Sequence, residues 1–432
     1  MSDIVTSRIF VDGEKGITAA KLNDIVASSV IQPEFYTAKP TAGSADPSDI
    51  ALILKSGAYA QVPVSSLGGS VTQGQIWSIR QNSYNSIGNC NFEVDQRQCG
   101  AAVAPAANIM AIDRWLWNQS FSPAVMRFNG QQMAAGVAAP GSNYFISSRF
   151  YRITVTTPQA SLGTNDWAQF RTSIDGPNLR ELFGSVHSVS LLVRTSIPNL
   201  KFGLVLSDPP SAHGFFHLCT IPAANVWTLV TIPNIPLWTA AGNWSTTPGT
   251  LGYYLGITLV AGPSLIASAN DAWIASSASG AIGQSNFAAT AGATFDVAFC
   301  QHEPGSVCST LMDTPFTQNL DNCLRFFCKS NPYATKPGTV NSQGVIYAVA
   351  LANGTPSCYV PFKKVMAKAP TVTGYSDVSG AAGTVRDLYA PGDRLISGLV
   401  GVGDSSFGGF NLTTVNATNA LYSFHYTGDT GW

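Results

Sequence analysis

The chain has 432 residues, which is long enough for two or three domains. Hydrophobic residues make up 45% of it, whereas Asp, Glu, Lys and Arg together make up only 11%. An average soluble domain has about 25% charged residues. A net charge of −1 offers no electrostatic attraction for nucleic acid or an anionic membrane surface, so neither is an expected partner.

Three kinds of protein carry so little charge, and the sequence favours one of them. Aromatic residues at 10% argue against a disordered chain. The longest apolar runs, such as residues 253–262, are shorter than the roughly 20 residues that a membrane-spanning helix needs. A surface of Ser, Thr, Asn, Gln and Gly, partly buried in an oligomer, remains, and we expect no membrane insertion.

Residues 1–70 predict a small N-terminal adaptor with one short helix. Thr18 is a good N-cap, and Leu22, Ile25 and Val26 then fall on one face of the helix. Two strands separated by a turn at KSGA follow. So short a segment buries little apolar surface by itself, so we expect this face to anchor the protein on another chain.

Residues 71–330 predict a central antiparallel β-sandwich of jelly-roll type. Its strand signals are short alternating or apolar runs separated by Gly, Pro, Asn and Ser, namely RITVTT, SLLVRT, KFGLVLS, FFHLCTI, VWTLVTI, YLGITLVAG and TFDVAFC. GPNLRELFGS is the one short helix expected here. Trp115, Trp227 and Phe295 are expected to face inward. Residues 331–432 contain further strand patterns and predict a smaller C-terminal β domain, so the fold class is mainly β.

The cysteines predict free thiols. The N-terminal MSDIVTSRIFVDGEKG has no apolar segment typical of a signal peptide, so we expect synthesis in a reducing cytoplasm. None of the eight cysteines has the CxxC spacing of zinc and redox sites. Cys300, His302 and Cys308 have the residue types of three metal ligands, but we favour a strand-end cysteine and a loop histidine. No metal and no cofactor are expected.

Catalytic motifs are missing from the sequence. It contains no GxSxG, and none of its five histidines lies in a recognisable catalytic setting. Asp271, Asp296 and Glu303 lie near predicted strand ends, where a pair of glycosidase carboxylates is often carried, but no sequence spacing links them. We therefore expect a protein that is not an enzyme, with a hydrolase as the alternative.

The candidate receptor contacts are aromatic. Trp244 in AGNWSTTPGT and Trp273 in ANDAWIASS lie in polar, Gly- and Ser-rich segments, and Phe407 lies in a glycine-rich one. Exposed aromatic rings in such loops stack on sugars, while half-buried packing against the rim of the domain is the alternative.

Several motifs of the sandwich resemble a known module. NFEVDQRQCG (residues 91–100), followed by AIDRW, is similar to the opening of a β-sandwich module of many phage tail and fibre proteins, which begins with Asn-Phe-Glu-x-x-Gln-Arg and then Asp-Arg-Trp. FTQNLDNCLRFF resembles the module's Cys-x-Arg-Tyr-Phe signature, here with Phe326 and Phe327. KGITAAKLNDIV and IQPEFYTAKP resemble the N-terminal adaptor of short-tailed phage fibres. The chain departs from the module at His302, where an apolar residue is expected.

The resemblance implies a virion structural protein with a carbohydrate-binding-module-like sandwich, usually a homotrimer, and no catalytic residue. Cys323 matches the cysteine of the signature and is interpreted as a small buried hydrophobe. We expect a fibre or appendage assembled in the host cytoplasm, anchored on tail, collar or head proteins, and attaching to a glycan or protein receptor of the host surface. A polysaccharide-degrading tail enzyme and a purely structural head or collar decoration protein are the alternatives.

Overall fold

The structure is a computed structural model, and the part of the chain that it describes is discontinuous. It covers residues 50–55, 58–63, 85–104, 109–125, 127–138, 140, 145–238, 241–350, 356–414 and 419–431. The predicted N-terminal helix, with Leu22, Ile25 and Val26, lies outside the described residues. The chain divides into two compact units, residues 1–76 and residues 77–432.

A β-hairpin is the described part of the first unit. Strand β1 (Ile50–Lys55) pairs antiparallel with β2 (Ala58–Pro63), and Lys55 lies opposite Ala58. The two strands predicted on either side of KSGA are therefore present.

Two antiparallel sheets form the sandwich in the second unit. The seven-stranded sheet contains, in sheet order, β13 (Trp273–Ala275), β10 (His213–Ile221), β9 (Leu200–Ser207), β12 (Leu251–Ala261), β7 (Trp167–Asp175), β4 (Trp115–Ser120) and β3 (Ile109–Ile112). The five-stranded sheet contains β11 (Thr228–Ile235), β8 (His187–Thr195), β14 (Thr294–Pro304), β6 (Phe145–Val155) and β5 (Phe128–Ala138). Each strand predicted between residues 152 and 300 is present, and the mainly β fold class is confirmed.

Aromatic rings from both sheets form the centre of the sandwich core. Trp115 of β4 stacks on Phe170 of β7 with ring centroids 4.9 Å apart, and Phe170 stacks at the same distance on Tyr151 of β6 in the opposite sheet. Trp115 and Phe295 are fully buried, as predicted. These rings hold the two sheets together because burial of large aromatic side chains dominates core stability.

The prediction that Trp227 faces inward is wrong. Trp227 is half-buried, and it packs edge-on against Phe150 with 5.4 Å between ring centroids. The guanidinium of Arg194 lies 4.5 Å from the Trp227 ring centroid and also pairs with Asp296 at 2.6 Å. These partners lie on the outer face of the five-stranded sheet. Alternation along a strand shows which residues share a face, but not which face is covered.

The described helices are α1 (Gly176–Arg180), α2 (Phe316–Leu324) and two 3-10 turns (Pro263–Leu265 and Phe287–Ala289). Helix α1 was predicted, but α2 was not, because its buried face is formed by Asn319, Cys323 and Leu324 rather than by a run of large apolar residues. Cys323 is fully buried, as its interpretation as a small hydrophobe requires. Within the described residues, no helix is long and apolar enough to cross a membrane.

A second, smaller β structure follows α2. Its strands are β15 (Phe327–Lys329), β16 (Ile346–Ala350), β17 (Pro356–Pro361), β18 (Thr371–Tyr375), β19 (Thr384–Asp387), β20 (Gly392–Val400), β21 (Ser406–Leu412) and β22 (Leu421–Asp429). Because β22 pairs with both β16 and β19, the path β22-β16-β17-β21-β20-β19 closes into a barrel around its own hydrophobic core. The domain boundaries at residues 70 and 330 remain predictions.

Candidate functional site

Three tryptophans meet at one end of the sandwich and form what we call the aromatic cluster. Trp238 follows β11, Trp244 lies in the segment before β12, and Trp273 begins β13. The ring centroid of Trp238 lies 4.8 Å from that of Trp244 and 4.7 Å from that of Trp273, and the latter two are 5.5 Å apart. Trp238 is buried, whereas Trp244 and Trp273 are half-buried. The structure thus brings the two predicted residues together on Trp238, which sequence reasoning missed.

A buried carboxylate holds the segment that carries Trp244. Asp208 accepts hydrogen bonds from the backbone N and Nδ2 of Asn243, at 3.0 and 3.2 Å, through Oδ2. Its Oδ1 accepts from the backbone N of Ala212 and His213, at 2.7 and 3.0 Å. Burial raises the pKa of Asp208, but these hydrogen bonds outweigh it and leave the pKa below its ordinary value. Asp208 therefore stays ionised and fixes the position of Trp244.

A chain of buried polar side chains supports the cluster from inside the sandwich. The ring of His187 stacks on Trp238, with centroids 4.9 Å apart and planes 8° apart. Nδ1 of His187 is 2.8 Å from Nε2 of His302, and Nδ1 of His302 is 2.5 Å from the hydroxyl of Tyr253. That hydroxyl is 2.8 Å from Oγ of Ser86. The stack on Trp238 thus ends a hydrogen-bonded chain across the core.

His187 and His302 are both neutral at pH 7. Burial lowers the pKa of His187 to about 3, and burial also lowers the pKa of His302, which the neighbouring His187 lowers further. A neutral, fully hydrogen-bonded imidazole tolerates the apolar interior. This explains how His302 occupies a position where the resembling module is expected to have an apolar residue.

Polar groups border the exposed edges of the cluster. Nε1 of Trp273 donates to the carbonyl oxygen of Pro236 at 3.0 Å. Asp271, two residues before Trp273, lies 2.5 Å from Nδ1 of His217 through its Oδ1. Its side chain is 63% exposed. Partly exposed aromatic faces beside a carboxylate and an imidazole can contact the apolar face of a sugar ring and its hydroxyl groups together.

Phe407 does not belong to this site, and its proposed role in receptor contact is wrong. It is fully buried in the barrel core, with ring centroids 5.5 Å from Phe410 and 5.2 Å from Tyr426. Gly408 and Gly409 follow Phe407 within β21, but alternation along the strand turns Phe407 into the barrel.

The three carboxylates of the hydrolase alternative are not assembled into a catalytic pair. Asp296 is buried in a bidentate pair with Arg152 and a second pair with Arg194. Glu303 is buried and accepts hydrogen bonds from Gln301 and Ser309. Seven residues along one strand separate the two by about 23 Å, beyond the roughly 9.5 Å of an inverting pair. Asp271 belongs to the other sheet's edge.

The candidate metal ligands Cys300, His302 and Cys308 do not form a metal site. All eight cysteines are free thiols. Sγ of Cys308 lies 3.4 Å from the carbonyl oxygen of Val189, while His302 faces the core and bonds to His187. Across the described part of the chain, no group of three or more His, Cys, Asp or Glu residues is placed to hold a metal ion.

The motifs that carry the sequence resemblance meet in one structural junction. The amide Nε2 of Gln96 donates to Oδ1 of Asp113 at 3.0 Å and to the carbonyl oxygen of Phe327 at 3.3 Å. The guanidinium of Arg97 lies 4.1 Å from the ring centroid of Phe327, and that of Arg114 lies 3.4 Å from the ring centroid of Phe326. The spacing of these motifs therefore reflects contacts that join the start of the sandwich to the start of the barrel.

Comparisons with known proteins add little to this description. No protein-family model matches the sequence, and a search of curated proteins gives no match. Among solved structures, the chain is similar to TmCBM61 in complex with beta-1,4-galactotriose, with 12% identity and a TM-score of 0.26 over 51% of this chain and 99% of that chain. At that score the similarity carries no argument about this protein.

Proposed function

We propose that the protein is a non-enzymatic attachment protein that binds a glycan through the aromatic cluster. The observation that carries the proposal is the pairing of Trp244 and Trp273 on buried Trp238, which leaves part of each outer ring exposed beside polar groups. Stacking on these rings buries the apolar face of a sugar, while Asp271 and His217 are available to its hydroxyl groups.

The site is preorganised, which favours binding. Asp208 holds the segment before Trp244, and Nε1 of Trp273 is held by Pro236. Each immobilised side chain otherwise costs about 0.5–1.5 kcal/mol of binding free energy. Rings already fixed by mutual packing avoid most of that cost.

The second part of the proposal is that the protein forms a virion appendage. The sequence resemblance supports this part. The N-terminal segment with Leu22, Ile25 and Val26 anchors the protein on another virion protein. Low charge and the resemblance to trimeric fibres support a homotrimer. The three subunits of one trimer would then carry three weak sugar sites. These sites would act together, because linked sites raise the apparent affinity without new contacts.

The test uses tryptophan variants of the full chain on immobilised host polysaccharide. Trp244→Ala and Trp273→Ala are expected to weaken binding at least about tenfold, or roughly 1.4 kcal/mol. Trp227→Ala is the matched control, since it is also half-buried but lies on the other sheet. Unchanged binding by both cluster variants would refute the site. Release of reducing ends from the polysaccharide would refute the non-enzymatic part.

A further inference from the structure

A polar cavity lies apart from the aromatic cluster, between the sandwich and helix α2. Its volume is about 400 Å³, within the range of small-molecule sites. The segment Asn85–Gly88, the end of β7 at Asp175 and the loop at Asp313 surround it. One face of α2 closes its remaining side.

Two buried charges form the floor of the cavity and are incompletely hydrogen-bonded. Arg114 donates from Nη2 to the carbonyl oxygen of Ser173 and stacks on Phe326, but its Nε and Nη1 have no hydrogen-bond partner among the described residues. Oδ1 of Asp175 also lacks a partner in the described structure. Buried polar atoms in this state are costly unless something else satisfies them. These three atoms have almost no accessible surface, so Arg114 and Asp175 contribute opposite fixed charges behind the lining of the cavity.

The charges around the cavity balance. Arg114 and Arg325 are positive, while Asp175 and Asp313 are negative, and Nη1 of Arg325 lies 3.8 Å from Oδ2 of Asp175. A site with equal charges of both signs gives no net attraction to an anion or a cation. A neutral ligand with many hydroxyl groups matches it best.

Exposed amides lie at the mouth. Gln318 and Asn322 are exposed and line the cavity from α2. Because they are four residues apart, both side chains project from the same helix face. Each amide carries a donor and an acceptor, which is the combination that neighbouring hydroxyl groups of a sugar need.

We infer that this cavity is a second carbohydrate site, which takes one neutral sugar unit such as a hexose or an N-acetylhexosamine. The inference rests on the proposed glycan-binding function, but it uses none of the tryptophans of the aromatic cluster. Gln318 and Asn322 contact the sugar at the mouth, and its remaining hydroxyl groups lie against the polar lining in front of Arg114 and Asp175.

The test starts from a protein in which the aromatic site has been removed by substitution. The full-length Trp244→Ala/Trp273→Ala protein is titrated with methyl glycosides of glucose, galactose and N-acetylglucosamine, and with galacturonate and glucosamine, by saturation-transfer NMR. We expect a neutral glycoside to bind and the charged sugars to bind more weakly. Adding Gln318→Ala and Asn322→Ala is expected to lower that affinity at least about tenfold.

Thr317→Ala is the matched control, since Thr317 is exposed on the same helix and does not line the cavity. It is expected to leave the affinity unchanged, and thermal unfolding checks that each variant is folded. Absence of neutral glycoside binding to the Trp244→Ala/Trp273→Ala protein would overturn the inference. So would preferential binding of the charged sugars, or equal affinity with and without the two amides. Wild-type binding that depends only on the tryptophans would overturn this second site while leaving the proposed function intact.

Discussion

Acid is expected to destabilise the sandwich through its two buried histidines. Burial holds the pKa of His187 at about 3 and that of His302 well below its ordinary value of 6.5. Below pH 6.5 the unfolded chain therefore binds protons that the folded chain does not. The free energy of unfolding then rises with pH up to 6.5 and falls on acidification.

The size of the effect follows from that difference in proton binding. Each histidine that is protonated only in the unfolded state changes the free energy of unfolding by about 1.4 kcal/mol per pH unit. Because an unfolded histidine is half protonated at pH 6.5, the change from pH 6.5 to about pH 5 amounts to about 1.6 kcal/mol for each histidine and about 3.3 kcal/mol for the pair. Burial raises the pKa of Asp113 to about 6, and this carboxyl acts in the opposite direction. The difference between variants is therefore the quantity to measure.

Urea unfolding followed by tryptophan fluorescence provides the assay, because Trp238 stacks on His187. His302→Gln is expected to lower the loss of unfolding free energy between pH 6.5 and about pH 5 by about 1.6 kcal/mol relative to wild type. Thr317→Ala, which is exposed on helix α2 and removes no titratable group, is the control and is expected to keep the pH dependence of the wild type. Equal pH dependence of the wild type and His302→Gln would refute the reasoning.

Four other predictions concern packing, the loop, the anchor and assembly. Trp115→Ala is expected to lower the free energy of unfolding by about 3–5 kcal/mol, and Trp227→Ala by much less; equal losses in urea unfolding would contradict the burial of Trp115. Asp208→Ala is expected to cost about 3 kcal/mol of stability and to weaken glycan binding through Trp244; calorimetry showing unchanged affinity would show that the loop needs no support. Deleting residues 1–65 is expected to leave a folded protein that particles no longer incorporate, and truncated chains found in purified particles would place the anchor elsewhere. Light scattering of the full-length protein is expected to give the mass of a trimer, and a mass near the 45.5 kDa of one chain would contradict the homotrimer.

Local pattern was sufficient for most of the β structure. Strands β8, β9, β10, β12 and β14 were all predictable, because alternating or apolar runs between turn-forming residues have few other stable conformations. The hairpin at KSGA followed from the same signals. Helix α2 did not, because its buried face uses Asn319 and Cys323, and a polar amide in a helix face gives no hydrophobic periodicity.

Tertiary structure alone decided which faces are covered and which distant residues meet. Trp227 and Phe407 have similar strand contexts, yet the first lies on an outer face and the second in a closed barrel, because strand pairing and barrel closure depend on residues far away in sequence. The aromatic cluster joins Trp238, Trp244 and Trp273, which come from three segments. It packs over a pair of histidines, one at the start of β8 and one near the end of β14. Long-range packing of this kind leaves no local signature, since each ring's burial is set by neighbours that only the folded sheets bring within contact distance.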